Sequence, residues 1–162
     1  MPHSVVVIGA GNIAAGYDSP GDEQVLTHLH AITADPRFRC AGLYDPDQHK
    51  AAMQAGRWSV PHAANVEALF AAPVDLAVIA GPDQTHEAWL GDLLERNVRI
   101  VLCEKPLTKS YASARAMVER YAARGKPLAV NYQRRFEPTA LDLSERLRGG
   151  ELGRPVAGAV WY

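Results

Sequence analysis

Cysteine is scarce in this chain, with two residues in 162. That excludes a disulfide framework, and Cys40 and Cys103 both fall inside apolar runs, where they read as small core hydrophobes rather than a metal pair. Also missing is any apolar run long enough to cross a bilayer. Met1-Pro2-His3 leads directly into a strand-like run, without the regions of a secretory signal. Charge of one sign is absent too: 17 Lys and Arg against 18 Asp and Glu leave a formal net charge of -1, so nothing points to a nucleic-acid or membrane partner. The densest basic stretches, Arg134-Arg135 and Arg146 to Arg154, read as solvated faces. The six histidines show no metal-ligand spacing, and His28 and His30 would face apart on a helix, so no metal is expected. A cytoplasmic location is the consistent expectation. What the chain does have is 48% hydrophobic and 22% charged residues, the balance of a globular protein with a core large enough to fold alone. Its length allows one domain, or one domain with a fragment of another.

The informative stretch runs from Ser4 to Asp45. Ser4-Val5-Val6-Val7-Ile8 reads as a strand buried on both faces, and it leads into Gly9-Ala10-Gly11-Asn12-Ile13-Ala14. In that turn Gly9 permits a tight bend, Gly11 lets the backbone approach a pyrophosphate without a Cβ in the way, and Ala14 lets the following helix pack closely on the strand. The first amides of that helix have no partners within it and are free for phosphates. A second run ends in Leu43-Tyr44-Asp45, and Asp45 is placed to accept hydrogen bonds from an adenosine ribose. A carboxylate there repels a 2′-phosphate, and no arginine follows in Pro46-Asp47-Gln48-His49, so NAD is favoured over NADP. A glycine turn alone is a weak signal and is often only structural; the flanking strand and the acid-ended second strand strengthen it. The turn signature Tyr17-Asp18-Ser19-Pro20-Gly21-Asp22 predicts that the first helix stops early, that a surface loop intervenes near the site mouth, and that helix resumes over Thr27 to Ala34.

The rest alternates. Helix is expected over Asp47 to Gly56, with Gly56 ending it, then a short strand at Trp58-Ser59-Val60 and a helix at Val66 to Phe70 capped by Asn65. Val74 to Ala80 reads as a strand ending at Gly81-Pro82, and Gln84 to Arg96 as a helix. Val98 to Cys103 reads as a strand ending at Glu104-Lys105-Pro106, Ser110 to Ala123 as a helix stopped by Gly125, and Pro127 to Asn131 as a strand. Continuous apolar strands alternating with helices imply an α/β fold with a doubly wound, mostly parallel sheet of the Rossmann type. Ligands bind such sheets beyond the carboxyl ends of the strands. Gly9 to Ala14, Asp45, Gly81 to His86 and Glu104 to Pro106 lie at those ends and should converge.

Four blocks, Val7 to Ile13, Gly81-Pro82-Asp83-Gln84-Thr85-His86, Cys103-Glu104-Lys105-Pro106-Leu107 and Asn131 to Pro138, together resemble the Gfo/Idh/MocA family of oxidoreductases. The resemblance covers essentially the whole chain and implies a nicotinamide-dependent dehydrogenase acting on a sugar, polyol or sugar derivative. It implies that Gly9, Gly11, Asn12 and Ile13 form the pyrophosphate turn and that Asp45 holds the adenosine ribose. Gly81, Pro82 and His86 would lie along the dinucleotide toward the nicotinamide, although His86 at a helix start can equally bond nearby backbone. Glu104 and Lys105 match the family's E-K-P motif, in which the lysine reaches the nicotinamide ribose and the reacting hydroxyl and the Lys-Pro bond is often cis. Lys105 is thus the expected catalytic residue, sharing in proton relay, with an ion pair to Glu104 or a solvated lysine at the strand end as its bland alternatives; Glu104 is an orienting group. Arg135 matches a position near the nicotinamide side.

The departure is at the end of the chain. The family carries a second domain on a largely antiparallel sheet that supplies substrate residues. Here residues 1–131 make the dinucleotide-binding domain, Pro138 to Arg148 reads as a helix leading out, and Gly153 to Tyr162 looks like the first strand of an otherwise missing domain. A fragment of a longer enzyme is the favoured reading. A short protein that binds NAD without turnover, as a sensor or interaction module, and a half-enzyme completed by another chain are the alternatives. An apolar edge at Val160-Trp161-Tyr162 is expected to pair with a neighbour, to make homo-oligomers or to be disordered.

Overall fold

In the computed structural model, which describes residues 1–158, Val5, Val6, Val7 and Ile8 are all buried. Successive side chains of a strand point to opposite faces, so a run without polar alternation needs cover on both. β1 (His3–Ile8) has it. Val5 and Val7 enter one core with Leu29, Ile32, Leu43 and Trp58. Val6 and Ile8 enter the other with Ile79, Leu90, Leu93 and Tyr121.

β2 (Phe38–Tyr44), β3 (Val74–Ile79), β4 (Val98–Cys103) and β5 (Leu128–Val130) complete a five-stranded sheet in the order β2-β1-β3-β4-β5. Every pairing is parallel, which requires a crossover between each pair of strands. α1 (His28–Ala34) and α2 (Gln48–Trp58) cover one face; α3 (Val66–Leu69), α4 (His86–Glu95) and α5 (Tyr111–Ala123) cover the other. This is the doubly wound sheet implied by the alternation of elements. The chain steps from β1 outward to β2, then returns past β1 to β3. At such a reversal the loops leaving two adjacent strands part and open a crevice.

Side chains ahead of four helices satisfy their free first-turn amides. Thr27, Asp47, Asn65 and Ser110 accept from His30, Lys50, Ala68 and Ser113 N–H respectively. Two local expectations are corrected. α2 does not stop at Gly56 but runs through it to Trp58, and no strand forms at Trp58 to Val60. Trp58 is buried, stacks at 5.3 Å on His30 and donates its indole N–H to Ala15 O at 2.9 Å; that burial outweighs the helix-breaking tendency of one glycine. Ser59, left-handed at φ 53°, ends the helix instead.

The chain divides into two units, Met1–Asn131 and Tyr132–Tyr162. The second holds a 3-10 turn, Gln133–Phe136, and α6 (Pro138–Arg148), which has proline in its first turn and Gly149 as its cap. Residues 153–158 form no strand. The remainder of the strand expected up to Tyr162 lies outside the described residues.

Candidate functional site

The sheet register sets the site. Ile8 pairs with Tyr44 and with Ile79, and Ile79 pairs with Cys103, so β1, β2, β3 and β4 end level. Gly9, Asp45, Gly81 and Glu104 therefore leave the sheet along one edge, and the expected convergence is realised through contacts. Gly9 donates to Tyr44 O at 2.7 Å and has φ +104°. A Cβ there would stand 2.6 Å from Ala80 C and Gly81 N, so the residue is required both by its left-handed backbone and by the close pass of the β3 exit. Ala10 N–H donates to Asp45 Oδ2 at 2.8 Å, tying the turn to the end of β2, and Asp47 N–H takes Oδ1 at 3.0 Å.

Beyond Ala10 the backbone forms a single π-type turn, Asn12–Gly16, shorter than a dipole argument needs. Its chemistry is local. Among the described residues the amides of Gly11, Asn12 and Ile13 meet no protein acceptor. The nearest atom to a Cβ on Gly11 would be Lys50 Nζ at 3.8 Å, and the same ammonium stands 3.7 Å from Asp45 Oδ2. Free amides, a bare glycine and one cation make a concavity that fits an anionic pyrophosphate. Lys50 was missed by reading only the four residues after Asp45; its place one turn into α2, beside the end of β2, was the available signal.

At the other end of the crevice, Lys105 and Pro106 are exposed and joined by a cis peptide bond, while Glu104 is buried. Among the described residues Lys105 makes no ion pair with Glu104. The Glu104 carboxylate instead takes His28 Nε2 at 2.8 Å and Asn131 Nδ2 at 2.6 Å on Oε1, and faces the Lys105 amide at 3.4 Å with Oε2. Burial alone would raise this carboxyl, but the His28 and Asn131 hydrogen bonds, the His28 ring and the Lys105 amide together hold it below the usual glutamate value. It is an anchored anion, suited to orienting neighbours. His86 is 1% exposed, with Nδ1 at 2.8 Å from Pro106 O and Nε2 at 3.1 Å from Gly81 O. It lies between the turn after β3 and the turn after β4, facing a carbonyl of each. Pro82 is exposed on the rim. Arg135 is exposed on the 3-10 turn of the second unit.

Sequence reasoning missed the polar knot of Asp18, Thr27 and His30 and the contact of His28 with Glu104, because the turn signature around Asp18 says nothing about what its carboxylate holds. The cysteines offer no nucleophile. Burial pushes Cys40 up to about 11 and Cys103 up to about 12, the latter with help from the Glu104 charge, so both remain neutral thiols. A cavity of about 380 Å³ lined by Phe70, Pro73, Arg96 and Asn97 lies at the opposite edge of the sheet. Its guanidinium is held by Asp92 and laid over Phe70 at 4.7 Å, so the crevice at the carboxyl edge is where the convergent polar groups are. No helix among the described residues is long and apolar enough to cross a membrane, and none of their acidic, histidine or cysteine side chains cluster as a metal site.

Comparison with known proteins bears on this arrangement directly. Inositol 2-dehydrogenase 1 of Saccharopolyspora erythraea is 38% identical over 134 residues, covering 80% of this chain and 40% of its own length. A myo-inositol dehydrogenase structure from Corynebacterium glutamicum superposes with a TM-score of 0.75 at 26% identity, over 95% of this chain and 43% of that one. An Agrobacterium radiobacter oxidoreductase, solved with NAD+, L-tartaric acid and magnesium, gives a TM-score of 0.81 over 96% of this chain and 42% of that one, at 24% identity; it shares the fold. The chain thus spans about 40% of the length of the relatives it matches. The model of the oxidoreductase family with an NAD-binding Rossmann fold matches residues 3–132, and the chain belongs to that family, Gfo/Idh/MocA.

Proposed function

We propose that this chain is the cofactor-binding half of an NAD-dependent dehydrogenase acting on a polyol, sugar or sugar derivative, with residues 132–162 forming the connection to a substrate domain. The observation that carries the reading is the Ala10 to Asp45 hydrogen bond. It closes the glycine turn against the acid at the end of β2 and leaves the amides of Gly11, Asn12 and Ile13 free beside Lys50. The inositol dehydrogenase relatives support a polyol substrate.

When bound, the nicotinamide supplies the hydride acceptor. The chain's own residues hold the cofactor and position its reacting end. Gly11, Asn12 and Ile13 donate to the pyrophosphate, and Asp45 accepts from the adenosine ribose hydroxyls. A 2′-phosphate would meet that carboxylate, so NAD is preferred to NADP. Gly81 and Pro82 wall the crevice between the two ends, and His86 holds that wall to Pro106. Lys105 Nζ binds the nicotinamide ribose and takes part in removing the substrate hydroxyl proton. Glu104 orients the segment that carries it.

Calorimetric titration of the chain with NAD and NADP tests this. Tighter binding of NAD, weakened about tenfold by Asp45→Ala through the loss of ribose hydrogen bonds, is the expected result. A folded chain that binds neither nucleotide would remove the reading.

A further inference from the structure

The segment between the glycine turn and α1 is not a free loop. Asp18 is 4% exposed, and its one carboxylate receives four contacts: Leu26 N–H at 2.6 Å, Thr27 N–H at 3.2 Å, Thr27 Oγ1 at 2.6 Å and His30 Nδ1 at 2.7 Å. These close residues 19–25 at the neck. Arg57 donates to Asp18 O at 2.7 Å and to Ser19 Oγ at 2.5 Å, and Trp58 packs on His30. The neck is thus tied to α2, and through Trp58 to Ala15 just after the glycine turn. Thr27, part of the knot, also caps α1.

The first residue of α1 is His28, and it reaches the other end of the crevice. Its Nε2 lies 2.8 Å from Glu104 Oε1, with the two side chains 11% and 8% exposed. Nδ1 meets no hydrogen-bond partner among the described residues. Both ring nitrogens of His86 face backbone carbonyls, to one of which a neutral ring donates its single N–H. Among the described residues the His28 side chain makes one polar contact, and that contact is with Glu104, the residue before Lys105.

We propose that His28 is a positioning residue for the nicotinamide end of the dinucleotide: through Glu104 it fixes where Lys105 stands, and the Asp18-tied segment is what places His28. This rests on Lys105 binding the nicotinamide ribose, as argued above. The segment that leaves the pyrophosphate turn thus returns to order the catalytic turn, joining the two ends of the site by a path separate from the sheet.

Affinities for NAD and for ADP, which lacks the nicotinamide ribose, separate positioning from folding. Loss of a buried hydrogen bond to a charged group predicts that His28→Ala weakens NAD about tenfold and leaves ADP within about twofold. His28→Gln, whose amide nitrogen can donate where Nε2 does, regains most of the NAD affinity. Asp18→Asn gives the same selective loss in smaller measure. Equal losses for NAD and ADP, no loss for either, or a His28→Gln variant as weak as His28→Ala would overturn the inference while leaving the dinucleotide site standing. Failure of the wild-type chain to bind either nucleotide would instead remove the cofactor reading, and the inference with it.

Discussion

Asp45 does two jobs at once, which complicates any argument from its charge alone. The carboxylate holds the glycine turn through Ala10 N–H and faces Lys50 at 3.7 Å. A lone acid at this position would strongly repel a 2′-phosphate; an acid beside an ammonium repels it less. Because Lys50 is half exposed, the pair is screened and its effect is modest. Lys50→Ala is therefore expected to lower NADP affinity by about fivefold relative to NAD, sharpening the preference for NAD, with the difference shrinking as salt is raised. Parallel titrations of the two nucleotides at low and high salt check this; equal losses for both would confine Lys50 to the shared pyrophosphate, and no loss for either would place it outside nucleotide recognition.

Helix α2 shows how packing overrides local propensity. Gly56 sits inside it, and a Cβ there would meet nothing within 4 Å. The helix tolerates the glycine because Ala55 and Trp58 on its inner face are buried in the core with Ala15 and Leu29. A glycine in an exposed helix interior costs roughly 0.5–1 kcal/mol relative to alanine. Gly56→Ala should stabilise the chain by about that amount, read as a shift in the denaturant midpoint with the slope unchanged. Destabilisation would mean that the backbone at Gly56 is needed as it is. Gly9 is the contrasting case: its φ of +104° and the 2.6 Å approach to Ala80 leave no room for a side chain.

For the molecule as a whole, several carboxyls are depressed together, so stability depends on acid. Burial raises Asp18, but bonds from Thr27, Leu26 and His30 more than offset it; Glu104 is likewise raised by burial and lowered further by His28 and Asn131; and the Ser4 amide with Arg99 lowers Asp75. A carboxyl whose folded value lies below its unfolded value stabilises fully above the unfolded value, about 4. That contribution is lost as pH falls through the folded value. The melting temperature should therefore hold from neutral pH to about pH 5 and fall below about pH 4. Asp18→Asn should melt lower at neutral pH and show a shallower acid limb. An acid limb unchanged by Asp18→Asn would show that the knot around Asp18 is not among the groups that titrate on unfolding.

How much was legible from the residues follows the range of the interactions. Strand and helix types, the parallel doubly wound sheet, the early stop of the first helix and its resumption over His28 to Ala34 were all readable, because side-chain periodicity and turn chemistry act over a few residues. The glycine turn, Asp45, Gly81 to His86 and Glu104-Lys105-Pro106 were readable as strand-end clusters for the same reason. The run of α2 through Gly56 to Trp58 was not, since it depends on His30 and Ala15, which lie 28 and 43 residues away in sequence. Nor were the Asp18 knot and the hold of His28 on Glu104. Composition and spacing determined the fold class and the edge of the sheet where the strand-end clusters gather. Only the tertiary structure decided which side chains meet there, because a contact across 76 residues leaves no periodic trace in the chain and exists only once the sheet has brought its ends level.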